Sequence, residues 1–382
     1  MQPRVDADRL FLQGVAPDER NAVFDKISPL LEVRGDPAVS IVMPLDTRRP
    51  GNDRDRIRLR NLHAEARHQV LEWYTGREAK AVLDRLDAAV AAVDLLRPGL
   101  GVAVFATRDL AAAHMTPFPV HEAVAVDSTL LTRSLIQGLR RSPRYRVLVV
   151  SEKRTRLFEG VREQLVEVDD GGFPLRSGLT RVDRRAVAGR FALEGSGDDR
   201  EALRTFYRSV DVAVRDVCRQ DPLPLVLAGV ERSVARFEEV AGTHGQEVIG
   251  RVHGNHVFLS PHELGAITWP VVRHYLRRRR RAAVTALVKA VGEGRAVTGI
   301  DEVWSLAGQG RGSLLVVEED YRHEPSVLKD SRLVLAPVPV GPDVITDPVD
   351  EVVETVVRLG GSVEFVPSQR LGELGRIGLL LR

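Results

Sequence analysis

Apolar residues along this chain come in two textures: short uninterrupted blocks, and longer stretches where they recur every third or fourth position. The clearest block lies in YRVLVVSEKRTRLFEG, residues 145–160, where Val147–Val150 read as a strand buried on both faces. Glu152 and Lys153 supply a polar turn, Thr155–Phe158 alternates as a second strand, and Gln164–Val168 follows Gly160 as a third. A β-meander therefore opens at Tyr145, directly after the break at Ser142-Pro143.

Ahead of the meander, Pro17-Asp18-Glu19 has the look of a first helical turn, and Ala38–Pro44 of a strand. A basic, turn-rich segment then leads into a helix predicted over Arg54–Tyr74, with the seam Leu59, Leu62, Ala66, Val70 and Trp73. Arg56, Arg60, His63 and Arg67 form a basic stripe beside that seam; a solvated helix face accounts for it better than a nucleic-acid contact does. A second helix is predicted over Glu78–Leu96, then strands at Val102–Phe105, Leu110–Met115 and Val120–Val126. Helices packed on a sheet make this an α+β unit.

Beyond the meander, Asp199 caps a helix with the face Leu203, Phe206, Tyr207, Val210, Val214 and Val217. Leu223–Gly229 reads as a buried strand, Glu231–Val240 as a helix and Val248–Arg251 as an edge strand. Ser260-Pro-His-Glu263 carries the signature of a helix start, and Trp269-Pro270 opens a further helix running to Val291. A helix from Thr298 to Ala307, buried strands at Leu314–Val317 and Leu333–Val340, and a helix capped by Asp347-Pro348 come next. That last helix has the seam Val349, Val352, Val353, Val356 and Val357, and Ser362–Pro367 and Ile377–Leu381 close the chain as strands. The pattern predicts an α/β protein of three domains. These are an α+β domain over 1–140, a mixed-sheet α/β domain over 141–270 and an α/β/α sandwich over 271–382.

Composition agrees with several cores, since 382 residues exceed what one ordinary core serves and about two or three domains are expected. A net charge of +2 hides 55 basic against 53 acidic residues, so any nucleic-acid surface has to be local. A single cysteine, Cys218, excludes an internal disulfide and a cysteine-based zinc site, and suits a reducing compartment. The opening MQPRVDADRLF has no apolar stretch of signal-peptide length, and no apolar run approaches the roughly 20 residues of a membrane span. The expectation is a cytoplasmic protein.

Two arginine clusters are candidates for RNA contact. Arg176, Arg181, Arg184, Arg185 and Arg190 lie in the irregular segment 169–199, whose length is that of a functional or disordered loop. Arg277, Arg278, Arg279, Arg280 and Arg281 are consecutive on a helix, and no Asp or Glu occurs from Leu264 to Gly292. A phosphate backbone would relieve the repulsion among them; so would acids supplied from elsewhere in the fold. His253, His256 and His262 sit close in sequence, but no cysteine or acid completes a ligand set, so no metal and no cofactor is expected. The segment Gly308-Gln-Gly-Arg-Gly312 lacks the Lys-Ser/Thr of a phosphate loop.

Taken together, VSIVMPLD with RDRIRLRNLHAEA, VLVVSEKRTRLFEG with LPLVLAG, and GRAVTGIDEVWSLAGQGRGSLLVVEED with VDEVVETVVRLGGSVEFVP resemble successive parts of one known group. It is the archaeo-eukaryotic class-one release factor and Pelota superfamily, in its bacterial release-factor-like branch. The resemblance implies a three-domain translation factor that enters the ribosomal A site, where the two arginine clusters would grip rRNA or tRNA phosphates. Its third domain would resemble kink-turn-binding ribosomal proteins and meet a translational GTPase. Catalytic members carry Gly-Gly-Gln on the loop after the third strand of the central domain. Here that loop reads DDGGFPLRSGLTRVDRRAVAGRFALEGSGDD: Phe173 follows Gly171-Gly172, and the loop has no glutamine. The expected function is therefore a non-catalytic ribosome-associated role in rescue, recycling or hibernation, with no catalytic residue assigned. The alternatives are a peptidyl-tRNA hydrolase with an atypical loop and an unrelated small-molecule α/β enzyme.

Overall fold

In a computed structural model of the chain, the residues described are 30, 33–97, 99–116, 118–177, 197–221, 223–242, 247–329, 332–336 and 344–382. The expected helix start at Pro17 lies outside them. The chain divides into two compact units, one of them Pro143–Arg278 and the other joining the residues before it to Arg279–Arg382.

In the joined unit, β1 (Arg34–Pro44) is central. Helices α1 (Asp53–Trp73) and α2 (Gly76–Ala91) precede β2 (Gly101–Ala106), β3 (Ala111–Thr116), β4 (Ala123–Thr129) and α3 (Arg133–Arg141). The strands form an antiparallel sheet in the order β3-β2-β1-β4. Val39, Ile41 and Met43 of β1 pack under Leu59, Leu62, Ala66 and Val70 of α1, while Ala38 and Val42 face the opposite way onto Phe118, Leu135 and Ile136. Burial on both faces is why Ala38–Met43 is apolar apart from Ser40, whose buried hydroxyl accepts the Leu131 N–H at 2.9 Å. Asn52 caps α1 by accepting the Asp55 N–H at 2.9 Å. Gly138 leaves room for the Phe118 ring, which a Cβ at that position would strike.

Two expectations for this part are corrected. Trp73 is exposed at the end of α1, outside the buried seam. Helix α2 stops at Ala91, because the Asp94 carboxylate accepts the Leu96 N–H and closes a local turn instead of a further helical one.

The second half of α6 (Pro261–Gly292) also belongs to the joined unit, followed by β11 (Ala296–Thr298), α7 (Ile300–Gly308), β12 (Gly312–Glu318), α8 (Pro348–Arg358), β15 (Ser362–Val366) and β16 (Ile377–Leu381). Their sheet has the order β11-β16-β12-β15. Ala283 and Leu287 of α6 cover Val316 and Val366 on one face, and α7 and α8 cover Leu315, Val317, Val363 and Leu379 on the other. All five valines of the α8 seam are buried, each worth about 1.5–3 kcal/mol on full burial, so a single Val353→Asp should unseat the helix. The expected buried strand at Leu333–Val340 is corrected. Strands β13 (Ser326–Lys329) and β14 (Arg332–Leu335) form a separate two-stranded ribbon, with Leu328, Val334 and Leu335 exposed. Positions 337–340 lie outside the described residues.

A buried polar seam joins α3 to α8. The Thr132 hydroxyl donates to Glu354 at 2.6 Å, and the Arg133 N–H donates to Asp350 at 2.9 Å. Burial first, then the neighbouring Glu354 and Asp347, hold the Asp350 carboxyl well above the ordinary aspartate range, with Arg133 pulling the other way.

The unit Pro143–Arg278 has a mixed sheet in the order β10-β9-β5-β6-β7, made of β5 (Arg144–Val150), β6 (Arg154–Val161), β7 (Gln164–Glu167), β9 (Leu225–Gly229) and β10 (Val248–His253). The short β8 (Leu175–Arg176) pairs with the start of β6. Strands β5, β9 and β10 run parallel, and β5, β6 and β7 form the antiparallel meander. Helices α4 (Gly197–Gln220) and α5 (Glu231–Val240) cover one face. The first half of α6, with Leu264, Trp269, Val272 and Leu276, covers the other.

The two helices expected on either side of Trp269-Pro270 are one helix, α6, with Pro270 inside it. Proline has no N–H for the carbonyl of the preceding turn. Close to the interruption, the buried Thr268 hydroxyl bonds the Leu264 carbonyl at 2.8 Å, and apolar contacts on both sides of Pro270 hold the helix together.

Candidate nucleic-acid interface

Helix geometry sorts the arginine run of α6. Arg279 lies 2.9 Å from Glu364, and Arg280 lies 3.9 Å from both Glu364 and Glu319. Glu319 also pairs with Arg141 of α3. Burial pulls the Arg280 guanidinium below the ordinary arginine value, against the opposing pull of Glu319 and Glu364. These two arginines are therefore committed to the fold.

Arg277, Arg278 and Arg281 are exposed, and among the described residues they have no ion-pair partner. Arg273 and His274, one turn earlier, are exposed on the same side of the helix. Arg273, Arg277 and Arg281 follow one another at i+4, with His274 and Arg278 beside them. Like charges at that spacing cost the isolated helix about 0.2–0.5 kcal/mol per pair. The consecutive run points to five positions; the i+4 spacing would have added Arg273 and His274.

The second cluster is only partly described. Arg181, Arg184, Arg185 and Arg190 lie outside the described residues. Arg176 is exposed on β8, opposite Arg154 of β6. Residues directly opposite in an antiparallel pair share a face, and Arg156 lies two positions on from Arg154, so all three arginines project from one side of the sheet. Glu167 of β7 answers Arg156 at 2.5 Å and Arg154 at 3.4 Å. The hydrogen bond from Arg156 holds the Glu167 carboxyl below its usual range, with the charges of Arg156 and Arg154 adding to it and burial opposing. Arg176 has no such acid among the described residues.

The glycine pair leading into this segment makes a turn, with Gly171 at φ 62° and Gly172 at φ 87°. Phe173 then enters the core among Leu157, Leu203 and Val210. The residue after the two glycines is thus a core anchor. On the joined unit, a hollow beside Trp304 is lined by Asp127, Asp347, Asp350 and Glu351, a sign of charge that repels phosphate. Cys218 is buried with its thiol 3.7 Å from the Arg146 guanidinium. No described helix is long and apolar enough to cross a membrane.

Residues 144–311, a little under half of the chain, match the family model of bacterial archaeo-eukaryotic release factor family 3. Over these residues the chain is similar to that family. The match takes in the meander β5–β6–β7, β8, Phe173 and all of α6. Among curated proteins, none matches. Similar solved structures include ribosome-bound archaeal Pelota with ABCE1, at 14% identity and TM-score 0.45, covering 97% of this chain and 95% of that one. Dom34 of S. cerevisiae, a translation termination-like factor interacting with Hbs1, is 9% identical at TM-score 0.41, covering 96% and 93%. The archaeal termination factor aRF1 is 15% identical at TM-score 0.26, covering 96% and 98%. Scores of this size carry no argument about function.

Proposed function

We propose that this release-factor-like chain binds ribosomes through rRNA or tRNA phosphates and acts in rescue, recycling or hibernation without hydrolysing peptidyl-tRNA. The observation that carries the reading is the division of the α6 arginines. Two are spent on the buried Glu364, and Arg277, Arg278 and Arg281 stand exposed in a segment without a carboxylate. A surface that is costly to the free helix and spared by the core suits a polyanion. Arg176 and the arginines at 181, 184, 185 and 190 form the second contact in this reading. The non-hydrolytic part draws on the absence of glutamine from the segment 169–199 and on Phe173 facing the core. A translational GTPase, the partner that the release-factor resemblance implies, is the protein partner to seek.

Cosedimentation with ribosomes across a salt series tests binding, and the expected result is pelleting that weakens with salt. A protein that stays in the supernatant at low salt refutes the reading. Ribosomes carrying labelled peptidyl-tRNA test the chemistry: peptide release well above the no-factor rate would make the chain a hydrolase.

A further inference from the structure

Phe258 is 89% exposed, although both of its neighbours pack inward: Val257 and Leu259 lie against the apolar layer of Tyr145, Phe158 and Trp269. The loop that carries it is held at several points. Gly254 N–H bonds the Gly229 carbonyl at 3.0 Å, and Leu259 N–H bonds the His256 carbonyl at 3.2 Å. At its end, Ser260 and Glu263 form a reciprocal cap, with the Ser260 N–H donating to Glu263 at 2.9 Å.

The decisive contact is made by Arg156. Its Nη1 donates to the carbonyl of Val257 at 2.9 Å and to that of Leu259 at 3.1 Å, so one guanidinium grips the chain on both sides of Phe258. Nε and Nη2 of the same group are fixed by Glu167 at 2.8 and 2.5 Å, and its Cζ lies 4.5 Å from the centre of the Phe158 ring. The aromatic ring is therefore presented to solvent by a backbone with little freedom, which lowers the entropy cost when a partner binds it.

The surroundings say what that partner is. From Val248 to His262 the sequence contains no Asp or Glu, and it contains His253, His256 and His262; its Arg251 is already paired with Glu238 of α5. Arg154 and Arg176 project from the same side of the sheet as the clamping Arg156. A protein pocket would call for an apolar patch around the ring, whereas the other exposed residues of the same loop are His253, Asn255 and Ser260. We propose that Phe258 is a stacking platform for an unpaired RNA base, with Arg176 and Arg154 receiving the adjoining phosphates. The proposal rests on the ribosome-binding reading for its biological partner and on the loop geometry for its chemistry. An aromatic face accepts any base, so the platform selects single-stranded over paired RNA and carries little sequence preference.

The test uses the full chain with two oligonucleotides of equal length, oligoadenylate and its abasic counterpart, and the variants Phe258→Ala and Phe258→Trp. Phe258→Ala changes an exposed side chain and should melt as the parent does. It should bind oligoadenylate roughly 10- to 100-fold more weakly and the abasic strand unchanged. Phe258→Trp should retain binding and lose fluorescence on adding oligoadenylate only. Equal affinity of the parent for the two strands, or equal affinity of parent and Phe258→Ala for oligoadenylate, overturns the platform. If Phe258→Ala weakens ribosome pelleting while the parent shows no base preference, a protein pocket takes the ring and the proposal is wrong. Base-dependent binding by a chain that fails to pellet with ribosomes would uphold the platform and refute the ribosomal reading instead.

Discussion

Arg279 and Glu364 form an ion pair 2.9 Å long in which the carboxylate side chain is only 7% exposed. Arg280 approaches the same carboxylate, so one acid of β15 neutralises two neighbours in the arginine run of α6. Removing it would leave two poorly hydrated cations facing each other. Glu364→Gln should destabilise the chain by about 2–4 kcal/mol, less than removal of a fully buried partner because both arginines stay in touch with water. Denaturant unfolding measures this, and a change below about 0.5 kcal/mol would mean that the pair contributes nothing to the fold.

The complementary change should separate binding from folding. Alanine at Arg277, Arg278 and Arg281 together should leave the melting temperature within about 2 °C of the parent, since these side chains are exposed and unpaired among the described residues. Ribosome pelleting should weaken, and its salt dependence should flatten by about 0.7–0.9 for each phosphate no longer neutralised. Identical pelleting of parent and triple variant at every salt concentration would show that the surface is only solvated.

How much of this was legible before the structure depends on sequence distance. The α1 seam as far as Val70, the α8 seam and the β5–β6–β7 meander are local periodicities, and they read correctly because burial repeats every few residues. Pro270 misled because a proline reads as a break, while the side chains that keep α6 whole come from strands far away in the chain. The same limit hid the fate of the arginines: nothing near positions 277–281 announces Glu364 or Glu319. The ribbon β13–β14 reads as core by composition, since apolar residues carry no mark of which sheet will cover them. Phe258 was invisible for the opposite reason, as an aromatic between Val257 and Leu259 looks like part of a buried run.

The seam between α3 and α8 gives a pH-dependent expectation. With its carboxyl held above the ordinary value of 3.8, Asp350 binds a proton more tightly in the folded chain than in the unfolded one. Its stabilising contribution is thus complete in acid, below the unfolded value, and is lost as pH rises through the folded value. Asparagine keeps an oxygen for the Arg133 N–H without the charge. Asp350→Asn should therefore be more stable than the parent at pH 7, with the gap closing as pH falls. Urea unfolding between pH 5 and 8, on the order of four points, suffices; a variant less stable at pH 7 would show that the charge is needed.

The division of the chain at 270–271 is a proposal that can be tried directly. A fragment of residues 271–382 begins inside α6 but retains the whole sheet β11-β16-β12-β15 and the helices on both of its faces. It should give a dispersed amide spectrum. It should also unfold more easily than the same region in the full chain, because Leu135, Ile136 and Leu139 of α3 no longer share its core. A collapsed spectrum would refute the division.

The fit of Phe118 against Gly138 has a meaning for how such chains diverge. The ring fills the place where any other residue on α3 would put its first side-chain carbon. Neither position can drift alone: a larger residue at 138 first requires a smaller one at 118, and a smaller one at 118 leaves a void that a larger 138 would fill. Across descendants of this sequence the two sites should be inherited as a pair, and an exchange at one without the other should mark a chain whose α3 has shifted along the sheet.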